Sequence, residues 1–292
     1  MNELRDILAK YRDVDIDKEI ATRDGQVRFS ASFYRDVAEI YDAVTRIRNI
    51  ERNPTGFDLN DAPILGLLIR MWKILKEVVR YYKEDNAQII GMLDRPFIEA
   101  AIIAKYLLIK DAGVVEDYRK CSYKDRLRVL RESVQASESE FAQTPAGVRL
   151  LESIRGKMAR ESLTEASFET QRRNNWRLQG KRFFDIFKEV ERSDFYKFLY
   201  GIPSESIHGS WNDSMDYDLR LNDDGTYSTF PFYQPVDIRF VTPLLRLSHD
   251  PYLLWLRRIE VYDEYLDNTF KWIGTVNAKL YDACERAPQT AV

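Results

Sequence analysis

Histidine and cysteine are scarce in this chain, which has two of each among its 292 residues. The histidines do not form an HxxxH or HExxH pair, and neither Cys121 nor Cys284 belongs to a CxxC pair. Because protein metal sites are built from such clusters, the sequence predicts no metal site. Two cysteines far apart in the chain also favour a reduced, cytoplasmic protein.

Glycine-rich functional motifs are missing as well. No GxGxxG or GxxxxGK[ST] stretch occurs, and the GxSxG elbow of the α/β-hydrolases is absent, so we expect no nucleotide cofactor. With 12 glycines and 10 prolines, the chain has few residues suited to tight turns. This shortage argues against an all-β fold and favours long helices.

Long apolar runs and a strong charge imbalance are the remaining absences. The most apolar stretch, "APILGLLIRMWKILKEVV", is interrupted by Arg70, Lys73 and Lys76, so it does not predict a membrane span. The N-terminus has mixed charge and does not resemble a secretory signal. The formal net charge of −3 excludes a globally basic nucleic-acid binder but allows a local basic patch.

Apolar residues recur at helical spacing through most of the chain. The pattern predicts three helices in the first part, from Ser32 to Ile47, from Asp61 and Pro63 to about Gly91, and from Asp94 and Pro96 to Gly113. Further helices are expected over 116–138, from Thr144, near 165–175, in "GKRFFDIFKEVE" and "SDFYKFLYG", and from Asp250 to Cys284.

The segment 212–235 differs, because its alternation around "DDG" is typical of a small hairpin or an ordered loop. The sequence therefore predicts an all-α, multi-helix bundle with one irregular excursion. We expect a single helical domain over 1–292, with a core over 60–215 that carries the motifs below and a C-terminal helical segment, 236–285, packed on it.

The stretch "RPFIEAAIIAKYL" places charged residues on an apolar helix. Arg95 and Glu99 are four residues apart and share one face, while the rest of the helix is apolar on nearly every side. A buried charge is costly unless it is paired. Two explanations remain open: a simple ion pair within the helix, or a polar pocket built against a second helix.

The stretch "YGIPSESIHG" is the natural second helix. Pro203 can open a helical turn and Gly209 can close it, which places Ser204 and His208 on one face. A neutral histidine beside a glutamate or an arginine suits a general base for attack by an RNA 2′-hydroxyl. The alternative is a histidine that joins helices by hydrogen bonds, and His249 is assigned no role.

Two basic runs raise the question of nucleic-acid contact. The run "QRRNNWRLQGKR" contains Arg172, Arg173, Trp176, Arg177, Lys181 and Arg182 without an acidic residue. The run "RKCSYKDRLRVLR" over 119–131 contains one acid, Asp125. Basic residues around an aromatic ring suit phosphate contact and base stacking, although a charged run is also typical of a solvated face.

The stretches "RPFIEAAIIAKYL" and "FYKFLYGIPSESIHG" together resemble a bacterial family known only as a domain of unknown function. Its features are an Arg-Pro-x-x-Glu helix and a later helix with a tyrosine and Ser-x-x-x-His. The similarity covers roughly residues 60–215.

That arrangement is in turn similar to the HEPN superfamily (higher eukaryotes and prokaryotes nucleotide-binding). The resemblance implies a helical bundle, a homodimer and a metal-independent RNase of a stress or phage-defence system. The HEPN signature is an arginine, four to six residues and a histidine, and no arginine stands at that spacing before His208. Arg95 would have to supply the phosphate-binding charge from another helix.

The leading hypothesis is thus an RNA-binding or RNA-cleaving protein. His208 is the base, Arg95 the phosphate partner, Glu99 and Ser204 orient them, and Tyr200 or Tyr106 supplies a hydroxyl. The main alternative is a non-catalytic scaffold whose polar cluster is structural and whose aromatic loop, 211–235, docks a partner or a second subunit. A small-molecule pocket lined by the same polar residues is the third hypothesis.

Overall fold

The computed structural model describes residues 2–135, 140–230, 232–234 and 236–286. The chain begins with α1 (Asn2–Ala9), α2 (Ile16–Glu19), α3 (Arg23–Arg46), α4 (Ala62–Lys83) and α5 (Ala87–Ile109). It continues with α6 (Ala112–Cys121), α7 (Lys124–Gln135), α8 (Glu140–Gln143), α9 (Pro145–Arg160), α10 (Glu169–Arg173) and α11 (Phe183–Val190). The last helices are α12 (Pro203–His208), α13 (Trp211–Tyr217), α14 (Thr242–Arg258) and α15 (Glu264–Arg286).

Shorter elements lie between these helices. There are 3₁₀ turns at Glu165–Phe168, Leu178–Gly180, Ser193–Phe195 and Ile238–Phe240, and a π-helical turn at Lys197–Gly201. Strands β1 (Leu219–Leu221) and β2 (Tyr227–Thr229) form an antiparallel hairpin in which Leu219 lies opposite Thr229. The fold is all-α, as predicted, and the hairpin lies where the sequence placed it. The preceding α13 occupies part of the segment expected to be irregular.

The chain divides into two compact units. Residues 1–109 and 187–292 form the first, and residues 110–186 form the second. The expectation of one domain over 1–292, with its core at 60–215 and its C-terminal segment at 236–285, stays a prediction. None of the helices in the described part of the chain combines the length and the apolar character that crossing a membrane requires.

Aromatic side chains form much of the core of the first unit, where α5 packs against α4 and α14 and α3 packs against α4. The rings of Tyr41 and Tyr252 stack with their centroids 4.0 Å apart. Their hydroxyls are both satisfied, because Tyr41 Oη lies 3.0 Å from Ser248 Oγ and Tyr252 Oη donates to the Leu68 carbonyl at 2.8 Å. Burying such large rings with paired hydroxyls favours a well-defined core.

A smaller apolar cluster forms the core of the second unit. Tyr123, Leu127 and Phe168 are buried at its centre, and around them pack the partly buried Leu130, Met158, Leu163 and Trp176. Glu161 accepts hydrogen bonds from Tyr123 Oη (2.8 Å) and from Arg119 Nη1 (2.6 Å). Trp176, a predicted stacking residue for nucleic acid, thus contributes to this cluster.

Asp61 lies at the start of α4, as predicted, but its side chain does not cap the helix, although Pro63 stands in the first turn. The carboxylate, which is 2% exposed, accepts from Arg258 Nε at 2.6 Å and pairs with Arg52 Nη2 at 3.0 Å. Asp61 therefore joins the start of α4 to the end of α14.

The boundary that the sequence predicted between α4 and α5 was wrong. Helix α4 ends at Lys83, Asp85 has a positive φ of 53°, and the Asn86 side chain accepts from the Ile89 amide to begin α5. Asp94 and Pro96 consequently lie inside α5 rather than at its start. The apolar residues on both sides of Pro96 are buried in one continuous helix, and this burial outweighs the roughly 3 kcal/mol cost of an internal proline.

Three other helix boundaries also differ from the prediction. The helix expected from Asp250 to Cys284 is two helices, separated where Glu260 has a positive φ of 59° and Asp263 caps α15 through the Leu266 amide. The helix expected over 116–138 is α6 and α7, and its predicted end at 138 lies outside the described residues. Helix α3 begins before Ser32, because Thr22 caps it through the Gly25 amide.

Candidate functional site

Helices α5 and α12 bring the predicted polar residues together. Pro203 opens α12, and Gly209 closes it with φ 58° and ψ 50°, the left-handed conformation that a glycine adopts without strain. His208 is therefore the last residue of a short, well-bounded helix. Arg95 and Glu99 lie one turn apart on α5 and face it.

The close approach of these helices depends on Gly91. A Cβ atom at this position would lie 2.9 Å from Ser206 Oγ and 3.5 Å from Ser206 Cβ. Ser206 is itself 9% exposed, so it has little room to move away. No signal in the sequence singled out Gly91, because a glycine inside a helix does not reveal which neighbour approaches it.

We expect that replacing Gly91 by valine lowers the free energy of unfolding by about 1–3 kcal/mol, because the added side chain overpacks the interface between α5 and α12. Gly66→Val is the matched control, since Gly66 is also inside a helix but a Cβ there meets nothing within 4 Å. Urea unfolding of both variants measures the difference. Equal stability of the two variants would show that the packing of α12 on α5 does not require a glycine at position 91.

Arg95 is the centre of the site. Its Nε donates to Glu99 Oε1 at 3.1 Å, and its Nη1 lies 2.9 Å from His208 Nε2. Tyr200 Oη donates to the same Glu99 oxygen at 2.7 Å, and the guanidinium lies 4.9 Å from the centroid of the Tyr200 ring. Glu99 and Tyr200 thus hold the guanidinium on two sides and aim it at His208.

The contact fixes the form of the imidazole. An arginine can only donate, so a hydrogen bond between these two atoms requires His208 Nε2 to accept, which is the tautomer with the proton on Nδ1. His208 is exposed, and the side chains of Arg95 and Glu99 are 23% and 42% exposed. The sequence led us to expect buried charges, but the structure leaves this cluster open to a ligand.

Burial and the Glu99 carboxylate together raise the pKa of the Tyr200 hydroxyl above its usual value. Partial burial acts to lower the pKa of Arg95, but the hydrogen bond and the charge of Glu99 outweigh it and raise this pKa. At neutral pH, Tyr200 is therefore a protonated donor and Arg95 a stable cation.

Replacing Glu99 by glutamine is expected to lower the pKa of Tyr200 toward that of an exposed tyrosine, because the variant removes a negative charge that opposes ionisation. The measurement is a pH titration by NMR of protein labelled with ¹³C at the tyrosine ring, with Tyr200→Phe for assignment. Glu205→Gln, which removes a charge from α12 instead, should leave that pKa nearly unchanged. An unchanged pKa in Glu99→Gln would rule out the electrostatic link.

The other residues predicted for the site do not all lie in it. Ser204 Oγ donates to the Tyr200 carbonyl at 2.5 Å, within its own helical segment, rather than to the Arg95 cluster. Tyr200 lies in the site, whereas Tyr106 is 1% exposed in the core.

Asp94 lies next to Arg95 inside α5. Its buried Oδ1 has no hydrogen-bond partner among the described residues, and burial raises the pKa of this carboxyl well above its usual range.

The basic run at 171–182 lies in the second unit and is largely ion-paired. Arg172 pairs with Glu165, Arg173 with Glu169 (3.3 Å) and Arg182 with Asp185 (3.2 Å). The acids come from outside the run, which is why its sequence looked uncompensated. Arg173 and Arg182 are 80% and 66% exposed, so these pairs are weak surface pairs that a phosphate can displace. The role of Arg177 and Lys181 stays a prediction.

In the described segments of the chain, no group of three or more histidine, cysteine, aspartate or glutamate side chains is arranged to hold a metal ion.

A comparison of the sequence with protein-family profiles gives a match over residues 61–226 to a group described as "Family of unknown function (DUF5677)". The matched segment covers more than half of the 292 residues. The chain belongs to this family. Searches of the curated proteins and of the solved structures give no match.

The DUF5677 segment contains Arg95, Glu99, Tyr200 and His208, together with the basic run at 171–182. Its limits lie close to those of the resemblance seen in the sequence, roughly 60–215. The family description names no activity.

Proposed function

We propose that this DUF5677 protein binds RNA at Arg95 and His208 and cleaves it without a metal ion. The observation that carries the proposal is the exposed imidazole nitrogen, 2.9 Å from a guanidinium that Glu99 and Tyr200 hold in place. A positioned cation and a neutral histidine are the two groups that cleavage of a phosphodiester by a neighbouring hydroxyl requires. The proposal includes a distant relationship to the HEPN superfamily and a role in bacterial stress or phage defence.

The chemistry proceeds in one displacement at phosphorus. The RNA phosphate takes the Arg95 guanidinium from His208, and the freed Nε2 accepts the proton of the 2′-hydroxyl. The 2′-oxygen then forms a bond to phosphorus while the bond to the 5′-oxygen breaks, and that oxygen takes a proton from water. The products are a cyclic phosphate and a free 5′-hydroxyl, and Arg95 stabilises the charge that develops on the phosphoryl oxygens.

The experiment compares a single-stranded RNA with DNA of the same sequence, both in excess EDTA. We expect cleavage of the RNA alone, with cyclic phosphate ends, because DNA lacks the attacking hydroxyl. No cleavage of RNA, or equal cleavage of DNA, contradicts the proposal. Loss of activity in EDTA that magnesium restores contradicts it as well.

The proposal extends to the RNA backbone and to a second copy of the chain. The exposed arginines of 171–182 would contact phosphates, which makes RNA affinity fall as salt rises.

A homodimer is supported by the exposed apolar side chains of Phe198, Ile202 and Ile207, in and just before α12, which are 68%, 60% and 42% exposed. Equilibrium sedimentation measures whether the chain forms this dimer. We place the protein in the cytoplasm.

A scaffolding role is the second candidate, and one observation favours it. Trp211, Phe232 and Tyr233 in the predicted aromatic loop are 57%, 69% and 67% exposed, an arrangement typical of a docking surface. This candidate predicts that Trp211→Ser changes the oligomeric mass, while the wild type cleaves no RNA.

A further inference from the structure

A second site with ligand-binding character lies in the first unit, away from the residues assigned above. It is a cleft of about 710 Å³ between α14 and α15, with residues of 191–199 as a third wall. Small-molecule sites have volumes of this order, roughly 300–1,000 Å³. Neither Arg95 nor His208 lines it.

Small residues on α15 leave the cleft open. Gly274 and Ala278, four residues apart, face α14 across the cleft. A Cβ at Gly274 would lie 3.7 Å from His249 Cε1, which places the imidazole directly opposite this glycine. His249, to which the sequence assigned no role, is thus a wall of the cleft.

His249 presents an unused nitrogen lone pair. Its ring packs edge-on against Phe270, with centroids 5.6 Å apart, and no hydrogen bond of either ring nitrogen is found among the described residues. Burial lowers the pKa of this imidazole, while the Asp250 and Asp267 carboxylates act in the opposite direction. The ring is neutral at pH 7, so one of its nitrogens can accept a hydrogen bond.

Buried polar atoms in the same walls are also unpaired. The Asn277 amide donates to the Thr242 carbonyl at 3.0 Å, but its Oδ1 has no donor, and Thr242 Oγ1 has no partner within the described part of the chain. Both side chains are more than nine-tenths buried. Unpaired buried polar groups are rare and costly in folded proteins, so the packing beside the cleft leaves two polar atoms unsatisfied.

The charges in the cleft leave one carboxylate uncompensated. Arg246 pairs with Glu191 at 2.8 Å, and Asp250 pairs with Lys105 at 2.7 Å. Asp282 is exposed, and its carboxylate pairs with no cation among the residues that the structure describes. Leu199, Leu245 and Ile273 add apolar surface.

We propose that this cleft binds a small organic cation, a primary amine or a guanidine on an apolar body. The N–H groups of the cation donate to Asp282 at one end of the cleft. Its apolar body lies against Leu199, Leu245 and Ile273 and extends toward His249 at the other end. An anion is excluded by Asp282, and a neutral alcohol leaves that carboxylate without its partner.

The two histidines make a direct test. Protein labelled with ¹³C and ¹⁵N at histidine gives one ring signal from His208 and one from His249, which His208→Gln and His249→Gln assign. The probes are phenethylamine, phenethyl alcohol and hydrocinnamate, which share one apolar body and differ in charge. We expect phenethylamine to shift the His249 signal saturably, at roughly tenfold lower concentration than the alcohol, with the His208 signal unmoved.

Two variants complete the test. Ala278→Trp fills the cleft and should abolish the shift, whereas Asp282→Asn should bring the affinity for the amine down to that for the alcohol. The proposal is overturned if the His249 signal does not respond, or if hydrocinnamate binds best. It is equally overturned if Ala278→Trp or Asp282→Asn binds phenethylamine as the wild type does.

Discussion

Replacing His208 by alanine is expected to lower the rate of RNA cleavage by about 10²–10⁴-fold, the usual contribution of a general base. The imidazole contacts Arg95 and is exposed at the end of α12, so its removal leaves no cavity in the core. The midpoint of thermal unfolding should therefore stay close to that of the wild type. Cleavage rates measured at saturating RNA, beside a thermal melt of each protein, give both quantities.

His249→Ala is the matched control, because it removes the other histidine of the chain from a site that does not include Arg95. It should cleave RNA at the rate of the wild type. If His208→Ala retains full activity, the general-base role is wrong. If His208→Ala unfolds at a much lower temperature and the wild type has no activity to lose, the histidine serves to join α5 and α12.

Replacing Asp61 by alanine is expected to lower the free energy of unfolding by about 3 kcal/mol. The carboxylate is almost fully buried and pairs with Arg258 at 2.6 Å and Arg52 at 3.0 Å. Its loss leaves two arginines close together without the anion between them, and removing one partner of a buried pair costs about 3–5 kcal/mol. We take the low end because the arginines are 22% and 30% exposed.

Urea unfolding compares this variant with Glu51→Ala, which removes the same charge from an exposed position in the neighbouring segment. Glu51→Ala should lie within about 0.5 kcal/mol of the wild type. Asp61→Asn, which keeps the shape but not the charge, should fall between them. If Asp61→Ala is as stable as Glu51→Ala, the link between α4 and α14 contributes little.

Sequence patterns gave correct predictions where residues within one helical turn determine the structure. Pro203 and Gly209 bound α12 as predicted, and Arg95 and Glu99 pair one helical turn apart. The longer-range contact of Arg95 with His208 was also within reach. The guanidinium of Arg95 has more donors than Glu99 alone can satisfy, and the polar stretch that ends in His208 was the natural source of a further acceptor.

Signals failed where burial overrode local preference. Asp94 and Pro96 look like the start of a helix, but α5 continues through them because its apolar residues are buried on both sides. The break between α14 and α15 depends on the left-handed backbone of Glu260, and a glutamate in the sequence does not indicate this conformation. The openness of the cleft beside His249 depends on which helix faces Gly274, which no local pattern encodes.

The π-helical turn at Lys197–Gly201 makes the site sensitive to chain length. The Ile202 amide bonds to the carbonyl of Lys197, five residues back, so this turn holds one residue more than an α-helical turn. Removing one residue would turn the residues before the deletion by about 100° relative to α12. Tyr200 would then leave Glu99 while His208 stayed in place. A single-codon deletion in this segment could thus separate the tyrosine from the histidine without changing either residue.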